Sequence, residues 1–124
     1  MTVRRLVLFV GASTALAGAV QFLWPGLVLD LLDARSNTDT RMLFSIVGMF
    51  MAVIGAALVH ALVRGEGDAE RVVELWAGVQ KIGAFVCVSL AVSRGVFSSL
   101  GWLIAVNDLG SGALILWHRR RSPR

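Results

Sequence analysis

Two residues of this 124-residue chain carry charge where their neighbours carry none. Lys81 sits in VQKIGAFVCVSL (79–90) and Asp108 in WLIAVNDLGSGALILW (102–117). An ammonium and a carboxylate in such surroundings have three uses. They pair and fix the register of two helices, or they titrate or hold a ligand in a polar cavity. Otherwise they stay apart, with the lysine stretched to the headgroups and the acid neutral. An ionised residue at the centre of a membrane helix costs about 2.5–3.5 kcal/mol, while each Leu, Ile, Val or Phe returns about 0.3–0.6 kcal/mol. Neither run carries its charge without compensation. The two charges are offset by about 5 Å along the helix axis at 1.5 Å per residue, within reach of a lysine stem. Gln80, Asn107 and Ser111 lie close enough in sequence to supply further hydrogen bonds, and Gln21 and His60 are polar residues near the ends of other apolar runs.

Other chemistry is thinly represented. Cys87 is the only cysteine, which excludes a disulfide framework and a thiolate cluster. His60 and His118 are far apart in sequence, so neither a metal site nor a cofactor is expected. With no His-rich cluster, paired carboxylates or activated Ser or Cys, the reading is no catalytic residues and no enzyme. Arg119, Arg120, Arg121 and Arg124 form a short tail without a basic face or interleaved aromatics behind it, which argues against nucleic acid as a partner.

The elements that position Lys81 and Asp108 follow from composition. The chain is 56% hydrophobic with a mean hydropathy of +0.75, above the roughly 45–50% apolar content of soluble domains. Lys81 alone among the twelve Lys and Arg residues falls away from helix ends. Residues 6–24, 42–63, 75–93 and 99–117 are each long enough to cross a hydrocarbon core of about 30 Å, and none alternates as a barrel strand does. The expectation is a single all-α domain over 1–124, an integral membrane four-helix bundle. WPG (24–26), RGEGDAER (64–71) and SRGVFSSLG (93–101) read as its connections. Residues 25–33 read as an interfacial helix, with Leu27, Val28, Leu31 and Leu32 on one face and Asp30 and Asp33 on the other; Pro25 suits its first turn. SNTD (36–39) reads as the cap of the second long helix.

Arg4 and Arg5 followed by LVLFVGASTALAGA also fit a secretory signal, with ALA at 15–17 as the cleavage site. The apolar run continues through Trp24 and Met1 is present, which favours a retained helix. Trp24, Trp76, Trp102 and Trp117 all fall near the ends of apolar runs, at the level indoles favour. Arg4, Arg5, Arg64, Arg71 and the tail arginines fall on one side, against Arg35, Arg41 and Arg94 on the other. The positive-inside bias then puts both termini and the basic tail (118–124) in the cytoplasm, with the chain in a bacterial inner membrane. Small residues recur at helical spacing as Gly11, Ala15 and Gly18, as Gly48, Ala52 and Gly55, and as Gly101, Ala105 and Gly112 around Asp108. Such faces drive helix association in lipid, within a chain or with a partner.

The layout resembles the small uncharacterised DoxX-like membrane proteins of bacteria. The shared features are four short helices, the break at Pro25 and Gly26 before a small amphipathic segment, and Arg41 heading a Gly-rich second helix. Lys81-x-Gly83 and Asp108-Leu109 complete the set. The resemblance implies a four-helix bundle and an accessory role beside another membrane protein, and it supplies no catalytic residues. Small multidrug exporters are built around a glutamate in the first helix, where this chain has only Gln21, and the Gly-rich and Phe/Thr/Ser signatures of fluoride channels are missing. The expected function is therefore a structural or accessory subunit that binds itself as a homo-oligomer, or a larger membrane protein, through its small-residue faces. The alternative is a small transporter or channel that uses Lys81 and Asp108 for ion coupling or ligand binding.

Overall fold

The structure is a computed structural model that describes residues 2–65 and 67–122. Met1, Glu66, Pro123 and Arg124 lie outside the described residues, and with them the residue that the retained-helix expectation starts from, one position of the connection expected at 64–71 and the end of the basic tail. Five helices account for most of the chain: α1 (Val3–Leu23), α2 (Pro25–Leu31), α3 (Thr38–Arg64), α4 (Asp68–Ser93) and α5 (Gly101–Arg121). No strand occurs among the described residues.

Local chemistry sets most of the boundaries. Thr2 caps α1, its hydroxyl accepting from Arg5 N at 3.3 Å. Trp24 ends that helix because a residue before proline is pushed out of the helical region, while Pro25 opens α2 without needing a hydrogen-bonded N–H. The cap of α3 is Asn37 and not Ser36: Asn37 and Thr40 exchange bonds of 2.9 Å in both directions. The Ser36 hydroxyl is taken by Arg41 Nε at 2.8 Å. Gly65 closes α3 in the left-handed conformation, φ 65°, which glycine adopts without steric cost.

α2 is shorter than the expected 25–33 segment, and Asp33 follows it in a left-handed turn, φ 52°. Its buried side is also shifted. Leu29 and Leu32 are 3% and 2% exposed, whereas Leu27 and Leu31 point outward with Asp30 and Asp33. The face is set by tertiary docking, since Ser98 N donates to Leu32 O at 2.8 Å and ties the end of α2 to the α4–α5 connection.

α1, α3 and α4 are each long and apolar enough to cross a membrane. α5 has 21 residues, but Asn107, Asp108 and the run from His118 to Arg121 lower its hydropathy and keep it out of that class. The long helices form two antiparallel pairs. In the first, Gly11 and Gly18 of α1 lie against Gly55 and Gly48 of α3. In the second, Gly101, Asp108 and His118 of α5 lie against Val92, Lys81 and Glu74 of α4. Contact within each pair is far denser than contact between pairs.

The buried apolar core, Val7, Leu58, Leu62, Ala77 and Ile115, draws on all four long helices and lies where α1 and α4 begin and α3 and α5 end. Large apolar side chains cover the outside, among them Phe9, Leu16, Phe50 and Leu103, each more than 60% exposed. In water such coverage is an aggregation hazard.

Candidate functional site

Asp108 reaches the α4/α5 seam because its helical neighbours on that face are small: Ala105 and Gly112 are buried on either side of it. A Cβ on Gly112 would lie 3.0 Å from Lys81 Cβ, so the glycine lets the lysine stem enter the seam. Lys81 Nζ donates to Asp108 Oδ1 at 3.2 Å, with the two side chains 7% and 10% exposed. The expected helpers do not join them. Ser111 is buried, Gln80 half-buried and Asn107 exposed, and among the described residues none of the three bonds to the pair. Gln80 Oε1 is buried without a partner. Gln21, by contrast, is occupied: its Nε2 donates to Phe44 O at 2.9 Å.

A buried ion pair offsets its desolvation only when further hydrogen bonds satisfy both groups. Here a single bond links an ammonium with three donors to a carboxylate with two oxygens. The neighbouring space explains how the remainder can be used. A cavity of about 290 Å³ lies between the helix pairs, walled by apolar side chains of α2, α3, α4 and α5 such as Val28, Phe44, Val88 and Ile104. Its polar lining is Gln21, Gln80 and Asp108, apart from the Cys87 thiol. A more open hollow of about 610 Å³ on the α1/α5 side is lined by Thr14, Lys81, Asn107 and Asp108. Leu32 and Phe97 also line the first cavity, and Phe97 meets Phe44 edge to face at 6.3 Å. An apolar hollow with a few convergent polar groups has the composition of a small-molecule site.

A second polar cluster, which the sequence reading missed, lies where α4 begins and α5 ends. Arg4 Nη1 donates to Glu70 Oε1 at 2.9 Å, and its Nη2 also donates to Leu62 O. Glu74, fully buried, meets His118 Nδ1 through Oε1 at 2.5 Å. Arg71 donates to the carbonyls of Arg119 and Ser122, and Arg119 Nε donates back to Arg71 O at 2.8 Å. The available signal was the i, i+4 spacing of Glu70 and Glu74, which puts both on one face. It was masked because an acid such as Glu70 in a first turn and a base such as His118 in a last turn are ordinary helix-end chemistry.

The small residues all lie in seams within the chain. Gly11, Ala15 and Gly18 oppose Gly48, Ala52 and Gly55, and Gly101, Ala105 and Gly112 face α4. His60 stands apart from both polar clusters, in a shallow groove beside Ala56 and Arg64. No family model, curated protein or solved structure matches this chain.

Proposed function

We propose that the chain is a four-span membrane protein that takes a small amphipathic molecule from the lipid phase and holds its polar end at Lys81 and Asp108. One observation carries this reading. Asp108 of the under-satisfied pair and the residue Gln80, whose Oε1 is unpartnered, border an apolar cavity between two helix pairs that touch each other lightly, and Lys81 and Asp108 both line the more open hollow on the α1/α5 side. α5 counts as the fourth span because it runs antiparallel beside α4 over most of its length, from Gly101 near Val92 to His118 at Glu74. Asp108 and His118 face that partner, as intramembrane polar residues do. The arginine asymmetry supports a bacterial inner-membrane location with both termini cytoplasmic, so a periplasmic-type phosphatase fused to the C-terminus should be inactive. The DoxX-like kinship belongs to the same proposal.

Native mass spectrometry of the full chain released from native membranes tests the ligand. The expected result is an adduct of constant small mass, depleted in Asp108→Asn; a parent chain without such an adduct contradicts it. An accessory role beside a larger membrane protein is the second reading, favoured by short connections that leave no room for a soluble site. Its small-residue faces are already occupied within the chain, so a partner would meet the exposed apolar rows. A stoichiometric protein partner retained in mild detergent, with no small-molecule adduct, selects it.

A further inference from the structure

The Glu70, Glu74 and His118 cluster is separate from the cavity. Glu74 and Lys81 are seven residues apart, about 10 Å along α4. One ligand atom from each of the three side chains lies within 4.8 Å of the other two. Their exposure is low, with the side chains of Glu70, Glu74 and His118 at 9%, 0% and 10%.

If Glu74 and His118 were only a hydrogen-bonded pair, one oxygen would satisfy that role. Glu74 Oε2 is nevertheless buried with no hydrogen-bond partner in a side chain fully removed from solvent. A buried carboxylate oxygen without a donor is the kind of group that native folds avoid unless something else engages it.

We propose that Glu70, Glu74 and His118 form a binding site for a divalent first-row transition metal ion. The donor set is one imidazole nitrogen and carboxylate oxygens, a combination that suits Zn²⁺, Mn²⁺ or Fe²⁺ and disfavours soft-metal or all-oxygen chemistry. Ligand atoms around a shared tetrahedral zinc are about 3.3 Å apart for bonds near 2.0–2.1 Å, so the present spacing closes by side-chain rotation without helix movement. Glu70 and Glu74 one turn apart offer two oxygens from α4, and His118 offers nitrogen from the last turn of α5.

Arg4 is the outer partner: its guanidinium holds Glu70 Oε1 at 2.9 Å and stands farther from Oε2, at 3.4 Å. Ligating carboxylates are commonly steadied by such contacts. The ion replaces the proton between His118 Nδ1 and Glu74 Oε1, since a ligating imidazole is neutral and a ligating carboxylate ionised. Bound there, it clamps the start of α4 to the end of α5.

The test uses the untagged full chain in mild detergent, stripped with chelator, loaded with Zn²⁺ and desalted. The metal is counted by elemental mass spectrometry, and Co²⁺ spectra report the ligand field. The expected result is one equivalent of zinc per chain and a visible Co²⁺ spectrum of low symmetry. Glu70→Gln and His118→Asn should each weaken binding by at least about 10-fold, the lower end of what even outer contacts contribute. Glu70→Gln is the safer variant for folding, because glutamine keeps the size of the side chain and an oxygen to accept from Arg4 Nη1. A parent chain that retains no zinc, or variants that retain it unchanged, overturn the assignment; the second result would place the ion at His60 or in the tail. Neither outcome bears on the cavity, because no residue of this cluster lines it.

Discussion

Along α1 and α3 the backbones themselves touch. A Cβ on Gly18 would lie 2.4 Å from Ala52 N, one on Gly55 2.5 Å from Ala15 N, and one on Gly48 2.6 Å from Phe22 N. Along α4 and α5 the glycines meet side chains instead: Gly78 meets Leu116, Gly101 meets Val92, and Gly112 meets Ile82 and the Lys81 stem. The first seam therefore rests on close apolar approach, the main source of helix association where lipid removes the hydrophobic drive. The second keeps enough distance for side chains to fill it, and two of the pairs within it are ionisable, Lys81 with Asp108 and Glu74 with His118. The difference separates scaffold from chemistry. One pair of helices is a wall whose seam holds no ionisable pair among the described residues, only side-chain to backbone hydrogen bonds such as those of Gln21 and Ser45 to Phe44 O and Phe22 O, and the other presents Lys81 and Asp108 to the space between the pairs.

The strongest way to break this contrast is to separate α1 from α3. Gly18→Leu puts a branched side chain where even a methyl meets backbone, so the helices must part. A loss of at least about 3 kcal/mol, above the usual range for overpacking, is expected. Thermal unfolding in detergent and loss of a monodisperse elution peak would read it.

Next in size are Lys81→Met and Asp108→Leu. Each strands one buried charge, and a loss of roughly 2–3 kcal/mol is expected. That is less than the 3–5 kcal/mol for one partner of a sealed pair, because the adjoining hollow gives the remaining group somewhere to turn. If the two losses were simply additive in the double variant, the pair would have no coupling and the ionic description of the α4/α5 seam would fail.

The smallest effect sharpens the comparison from the other side. Gly83 and Gly110 are helical and have nothing within 4 Å of an added Cβ. Replacing either with Ala should leave stability unchanged or raise it by up to about 1 kcal/mol, the propensity gain. A loss at these positions would show a neighbour that the chain by itself does not contain, such as a second copy.

Much of this arrangement is legible in the sequence, for reasons of hydropathy and spacing. Apolar runs of helical length place the long helices, WPG marks the break after the first, and Lys81 and Asp108 stand out against their neighbours. Small residues spaced by three and four identify the faces that pack, though spacing alone does not say whether a face meets its own chain or another. What sequence hid depends on neighbours distant in the chain. α2 turns Leu29 inward because of the α4–α5 connection, and the α3 cap moves to Asn37 because Arg41 claims Ser36. Glu74 and His118, 44 residues apart, looked like helix-end charges until the antiparallel pairing joined them. The cavity had no sequence signal at all, since a void is a property of how two helix pairs fail to close.

The most direct test of the division between scaffold and site is the Lys81→Met/Asp108→Leu double variant, read for both stability and bound small molecule. Replacing a buried ion pair with apolar residues is often neutral or stabilising, so the double variant should unfold within about 1 kcal/mol of the parent. Its native mass spectrum should lack the adduct expected for the parent. An equally stable double variant that keeps the adduct at parental occupancy would contradict the account, because the polar end of the bound molecule would then rest on groups other than Lys81 and Asp108.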